Sequence, residues 1–472
     1  MYSRQLLFDQ LTPIAIYTKL KERFSDEITL LFESAINTEE GNYSFIFVGA
    51  LERVTYRDGM TTLLHADGTT ATEPRDPFDY LKSYYANIDY EAYHRLTKSL
   101  NVGFVDGFVG FIGYDSVKIF EPVLKPWMDP LHDELKSPDI DLIRPRLTLA
   151  FSHKTNTLTL ITPLESVEAE LDEIVAWLKE PYTYTDLKKS VIDPEKGQFA
   201  FTKARFFEMV AQSKEMIKSG DVFQILMSNR FTQYAKIDPL SFYRILRSQN
   251  PSPYMFLLEY EDFTIAGSSP EVMVGLHERH ILLRPIAGTR RRGATPERDR
   301  ELAEEMLHDE KECAEHLMLV DLGRNDVGRV ARKGTVKVTE MMRVERYSHV
   351  MHMVSDIDAI LDDRYDMFDL FAATFTAGTM TGAPKIRAME LIAEFEGLKR
   401  GFYSGAVGYF GFDGNMDSAI AIRTAYLDDE KIVFQAGAGI VADSKEELEY
   451  LEVQNKLAAN MASLKQLHET TK

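Results

Sequence analysis

Four glutamates are spaced for metal chemistry. Glu312 and Glu315 lie three apart in one helical pattern, and Glu449 and Glu452 three apart in another, so each pair projects from one helix face. Brought together, the faces would make an acidic floor of hard oxygen ligands, and Mg²⁺ needs only one or two protein carboxylates beside water and an anionic substrate. Taken singly, each pair also reads as ordinary helix surface. A di-iron set fits poorly, because His316 follows Glu315 directly and the second pair has no histidine.

Groups suited to anions lie elsewhere. Thr376 to Lys385 is a small-residue loop running into a helix whose first turn holds Pro384, which gathers free N–H groups and a lysine at a positive helix end. The other reading is a tight turn with a well-made helix start, and the spacing is not that of a Walker loop. Gln435 to Ile440 permits close backbone approach, and Arg423 interrupts an apolar run with a charge that needs a partner if buried. A substrate carboxylate would serve, as would a structural ion pair. His352 in its apolar run reads either as a general base or as a hydrogen-bonded core residue. Cys313, the one cysteine, has glutamates on both sides in sequence, which excludes disulfide and cysteine-metal chemistry and argues against a nucleophile.

The elements that must position these residues fall into two parts. Up to about Pro181, short strands alternate with turns (Tyr43 to Leu51, Gly103 to Tyr114, Leu147 to Ser152, Thr157 to Thr162), and the acidic stretch Asp129 to Asp141 reads as solvated loop. Tyr182 to Gly197 loses apolar periodicity and reads as a linker, so the expected parts are residues 1–185 and 198–472. The second part alternates longer helices, including one spanning Pro296 to Val320, with a strand meander of Tyr403 to Phe412, Ser418 to Tyr426 and Lys431 to Ala438. Ser444 to Glu447 has capping-box spacing and opens a helix through about His468. Strand groups mixed with helix groups, without strict βαβ alternation, indicate α+β with large antiparallel sheets.

Composition narrows the class. The chain has 472 residues, 44% hydrophobic and 27% charged, with net charge −20. Roughly three domain equivalents at about 150 residues each give ample core and exclude a fibrous or disordered chain. The acidic balance opposes nucleic acid and anionic membrane at long range. No leader and no run of about eighteen apolar residues is present, so a cytoplasmic address is the expectation.

Several strings, in order, resemble the chorismate-utilising enzymes, and among them the large components of anthranilate synthases. They are Gly220 to Ile225, Ser268-Ser269-Pro270-Glu271, Pro285 to Thr289, Ala314 to Asp326, Ala377 to Lys385 and Gln435 to Ile440. The resemblance is strongest from Gly220 to Lys456. It implies a sandwich of large antiparallel sheets flanked by helices, and conversion of chorismate and ammonia to anthranilate and pyruvate with Mg²⁺. Carried onto this chain, it implies that Glu315 and Glu452 hold the metal, with Glu312 and Glu449 orienting its waters. It places the enolpyruvyl carboxylate against Arg423, Tyr403 and the backbone of Gly437, Ala438 and Gly439. Gly288, Thr289, Gly378, Thr379 and Lys456 complete the pocket, Glu271 is the acid for the leaving hydroxyl, and His352 is the base for the ring proton. The choice between Mg²⁺ and Mn²⁺ stays open.

The same resemblance bears on product and partners. Aminodeoxychorismate synthases typically carry a lysine where this chain has Ala287, and isochorismate synthases a lysine base where it has Gln224. Both departures favour anthranilate. Aminodeoxychorismate synthase component I and a catalytically silent amino-acid-sensing subunit are the alternatives. No glutaminase nucleophile is apparent, so a separate glutamine amidotransferase is the expected ammonia source. Leu30 to Ser34 and Asn250 to Met255 resemble the family's tryptophan site, which makes Ser34, Pro253, Tyr254 and Met255 the expected inhibitor contacts, with Phe32 standing where leucine is usual.

Overall fold

The computed structural model describes residues 1–34, 43–347 and 350–470. Every ladder between its named strands is antiparallel, and alternation along the strands sorts their side chains into two cores. One run of pairing goes from Tyr2–Leu7 through Thr157–Thr162, Ile140–Ser152, Tyr43–Arg57, Thr29–Glu33, Tyr254–Glu259, Thr264–Ser269, Thr424–Leu427 and Lys431–Ile440 to Gln224–Tyr234. A second leaves Ile140–Ser152 through Gly107–Ile112, Ala406–Gly411, Met416–Ile420, Val272–His277 and His280–Leu283 to Val350–Ile360.

Leu30, Phe47, Phe256 and Ile265 of the first run pack against Phe108, Val407 and Ile420 of the second, forming the core between sheets. Their strand neighbours Leu31, Ile46, Leu257 and Ala266 face the other way, into a core closed by helices Pro13–Arg23, Glu165–Leu178, Lys203–Ser219, Pro239–Gln249 and Glu446–Thr470. This is the α+β sandwich with flanking helices that the strings above imply. Strands from both parts of the chain pair directly, Thr29–Glu33 with Tyr254–Glu259 and Gly107–Ile112 with Ala406–Gly411.

Three local expectations are corrected. The acidic stretch is not all solvated loop: Asp139 and Asp141 are buried, and Asp141 receives two hydrogen bonds from Arg53 at 2.8 and 2.7 Å. Pro296 to Val320 is not one helix. His308 ends Pro296–Leu307, and the Asp309 carboxylate accepts from Lys311 and Glu312 N–H (3.1 Å each), starting a second helix, Glu310–Gly328. Ser418 to Tyr426 is not one strand either, because Arg423 takes φ +50° and separates Met416–Ile420 from Thr424–Leu427.

Candidate active site

Glu271 follows Pro270 at the end of strand Thr264–Ser269 and is 7% exposed. Burial drives its carboxyl up to about 7, although Thr379 Oγ1 donates to Oε1 at 3.0 Å and Lys456 and Arg423 act against the rise. A carboxyl so placed retains its proton in a large share of molecules at neutral pH.

His352 lies on Val350–Ile360 opposite a bulge in Ile286–Arg291. The extra residue is Gly288, with φ +60°, and the bulge turns its carbonyl and the Thr289 hydroxyl onto His352 Nδ1, both at 3.1 Å. A carbonyl only accepts, so Nδ1 carries the proton and Nε2 keeps the lone pair. Nε2 is buried and lacks a hydrogen-bond partner among the described residues. Burial, with the charge of Arg423, pushes the imidazole down to about 4, so it is a neutral base throughout the physiological range.

Arg423 is held in its left-handed conformation between two strands, and among the described residues its guanidinium has no hydrogen bond or ion pair. Loss of water lowers its pKa, while Glu271 and Tyr347 oppose that change. A partly buried cation left in this state is a receptor for an anion. The strand Lys431–Ile440 supplies the adjacent wall. Gly437 and Gly439 face it, since a Cβ on Gly437 would lie 3.1 Å from the Tyr403 hydroxyl and one on Gly439 2.5 Å from Gln224 Nε2. Ala438 points oppositely, into the helix-side core, so only its backbone is available. Lys456 donates to Gly437 O at 3.0 Å and pairs with Glu452 at 2.8 Å.

The acidic helices converge. Burial raises the Glu315 carboxyl, and Glu312, Glu452 and Glu449 raise it further while Lys311 opposes them. Glu449 is likewise raised by burial and by Glu452. Lys311 bridges the helix ends, 3.8 Å from Glu315 and 3.7 Å from Asp443. Glu312 is occupied by Arg290 at 2.7 Å. Among the described residues no three His, Cys, Asp or Glu side chains are grouped closely enough to enclose a metal by themselves. Two carboxylates raised by burial and by the negative charges of their neighbours nevertheless fit an ion that draws most of its shell from water and substrate.

Gly378 and Thr379 sit in a 3₁₀ turn, Gly378–Met380; a Cβ on Gly378 would strike Leu322 at 1.9 Å, so the turn is pressed against helix Glu310–Gly328. The expected lysine cradle is not formed, because Lys385 is bound to Asp326 at 2.6 Å and to Thr374 O at 3.4 Å. Two site neighbours have no place in the residue set read from sequence. Tyr347 packs its ring edge-on to His352 at 5.6 Å across a hairpin, and no local spacing marks it. Gln224, read from the sequence only as the position that departs from isochorismate synthases, leaves a buried Oε1 without a partner among the described residues.

A cavity of about 820 Å³ lies between the sheets, lined by Ser34, Pro253, Tyr254 and Met255 together with Phe32 and Tyr409. It adjoins the groups just described: Pro270 and Val272, which flank Glu271, and Tyr347, which touches His352, all line it.

The family described as chorismate binding enzyme matches residues 30–462. The chain belongs to this family. Among chorismate-binding enzymes, anthranilate synthase component 1 of Aquifex aeolicus is 43% identical over 98% of this chain and 93% of its own length. Aminodeoxychorismate synthase component 1 of Bacillus subtilis is 40% identical over 94% and 93%. The crystal structure of anthranilate synthase component I from Streptococcus pneumoniae superposes with a TM-score of 0.77 at 33% identity, covering 90% of this chain and 93% of that one. Among the described residues no helix is long and apolar enough to cross a membrane.

Proposed function

We propose that this chorismate-binding enzyme is the large component of an anthranilate synthase, turning chorismate and ammonia into anthranilate, pyruvate and water. The observation that carries the reading is a buried carboxyl, Glu271, held by Thr379, and a buried histidine, His352, whose Nε2 lacks a partner among the described residues, both beside the charge of Arg423. Their environments push the two titrations apart in the sense that acid and base roles require.

Arg423 receives the enolpyruvyl carboxylate, with Tyr403 and the backbone of Gly437, Ala438 and Gly439 lining that end. Glu271 gives its proton to the departing ring hydroxyl, which leaves as water while ammonia forms the new C–N bond. His352 Nε2 then takes the ring proton as the C–O bond to the enolpyruvyl group breaks, and aromatisation releases pyruvate. Gly288 and Thr289 keep Nε2 free for that step. Glu315 and Glu452 would hold Mg²⁺, with Glu312 and Glu449 behind them, and the ion when bound would withdraw charge through the ring carboxylate.

Ammonia comes from a separate glutamine amidotransferase subunit, and tryptophan occupies the 820 Å³ cavity as feedback inhibitor, contacting Ser34, Pro253, Tyr254 and Met255. The setting is cytoplasmic. Aminodeoxychorismate synthase is the second reading, because one relative carries that name. Ala287, where those enzymes typically place a lysine, favours anthranilate. The purified chain incubated with chorismate, Mg²⁺ and an ammonium salt should develop anthranilate fluorescence, with the product confirmed by mass. Aminodeoxychorismate as product would establish the second reading, and no chorismate consumption would refute both.

A further inference from the structure

Arg400 is 1% exposed and, of the residues assigned to the site, directly meets only the Tyr403 ring. Its Nε and Nη2 grip Glu396 at 2.9 and 2.8 Å, and Glu396 is completed by Ser228 N–H and hydroxyl at 2.9 and 2.8 Å. A buried ion pair alone is weak evidence of anything beyond packing. The other donors are more telling. Nη1 reaches Met380 O at 2.8 Å, Nη2 reaches Leu226 O at 2.9 Å, and the guanidinium lies over the rings of Tyr114 and Tyr403 at 4.8 and 5.6 Å.

Each of three contacts ends on a wall of the cleft. Met380 closes the turn that aims Thr379 at Glu271. Leu226 is the register partner of Gly439, and Tyr403 faces Gly437. We propose that Arg400 is a positioning residue: its guanidinium fixes the Thr379 turn against Glu271 and seats the Tyr403 ring in the substrate wall. The proposal rests on the reading of Glu271 as the acid. Lysine keeps the charge beside Glu396 but lacks the planar fork that serves Glu396, Met380 and Leu226 together.

The arrangement has a signature that packing alone would not give. Donation by Thr379 favours the ionised form of Glu271 and restrains the rise that burial causes. Loosening the turn therefore moves the Glu271 titration upward, whereas simple destabilisation lowers the melting temperature and leaves that titration in place. Arg400→Lys, Thr379→Val and the double variant are compared by carbon-13 NMR of glutamate-labelled protein, with the Glu271 resonance assigned through Glu271→Gln. Chorismate consumption is followed in parallel.

Arg400→Lys and Thr379→Val should both shift the titration up, the double variant should shift it no further than the larger single one, and Arg400→Lys should lose kcat/KM by about 100-fold. If Arg400→Lys does not fold, Glu396→Gln combined with Arg400→Gln removes both buried charges and gives the same readout. An unmoved Glu271 titration in a folded variant, or additive shifts in the double variant, overturns the proposal. Wild-type protein that leaves chorismate untouched while the shifts are present refutes the functional reading and leaves the positioning role standing.

Discussion

Proton placement at two residues governs how the rate should respond to pH. Glu271 must be protonated, which holds below about 7, and His352 neutral, which holds above about 4. At fixed free ammonia, kcat/KM should therefore run level between these values and fall as pH rises past 7. Glu271→Gln should erase the alkaline limb and cost about 10²- to 10⁴-fold in rate, measured as a pH series of initial velocities. Arg423 makes the second residue-scale prediction. Arg423→Met removes a desolvated cation that has no ion-pair partner among the described residues, so the melting temperature should rise while kcat/KM falls by about 10- to 100-fold, the worth of a charged hydrogen bond. A fall in both quantities would mean the guanidinium is structural. Glu271 was legible from its Ser-Ser-Pro-Glu string, and His352 and Arg423 as polar groups set in apolar runs; Tyr347 was not, since it meets His352 only once the hairpin is folded.

The elements matter through where they break. Pro296 to Val320 reads as one helix because no glycine or further proline interrupts it, but its apolar pattern lapses between Leu307 and Cys313, where the Asp309 cap divides it in two. Glu312 and Glu315 stand just after that break, within reach of the charges of Glu449 and Glu452, and Arg290 holds the same corner through Asp309 and Glu312 at 3.1 and 2.7 Å. Asp309→Ala should cost about 1 kcal/mol of stability as a lost cap. Because the cap also holds the Glu312 backbone and shares Arg290 with its carboxylate, Mg²⁺ should bind more weakly, by calorimetry of the metal with the unliganded chain. Unchanged metal affinity in a destabilised variant would confine Asp309 to capping. The strand break at Arg423 was equally hidden, since a left-handed arginine follows from the packing of its neighbours and not from residue type. Lys385 shows the reverse failure: loop composition suggested an anion cradle, but Asp326, 59 positions away, claims the charge.

At the scale of the molecule, a composition change near Tyr182 marks a sequence boundary that the pairing crosses. Thr29–Glu33 is clasped between Tyr43–Arg57 and Tyr254–Glu259, and Gly107–Ile112 is hydrogen-bonded to Ala406–Gly411. Both cores also take side chains from each part. Separating the parts would expose paired strand edges and open the layer between the sheets, with no new surface to replace either. The whole chain should therefore melt in one calorimetric transition whose van't Hoff and calorimetric enthalpies agree, provided heating is reversible. Residues 198–472 expressed alone should show no cooperative melt and no chorismate turnover. Two resolved transitions, or a fragment that folds and works, would show that the N-terminal strands are an appendage. The cavity gives this architecture its functional weight, because Ser34 comes from one part and Pro253, Tyr254 and Met255 from the other, while Pro270 and Val272 connect its wall to the acid. A ligand there gains contacts only when both parts are in place, so tryptophan should raise the single melting temperature of the whole chain and leave the fragment's signal unchanged.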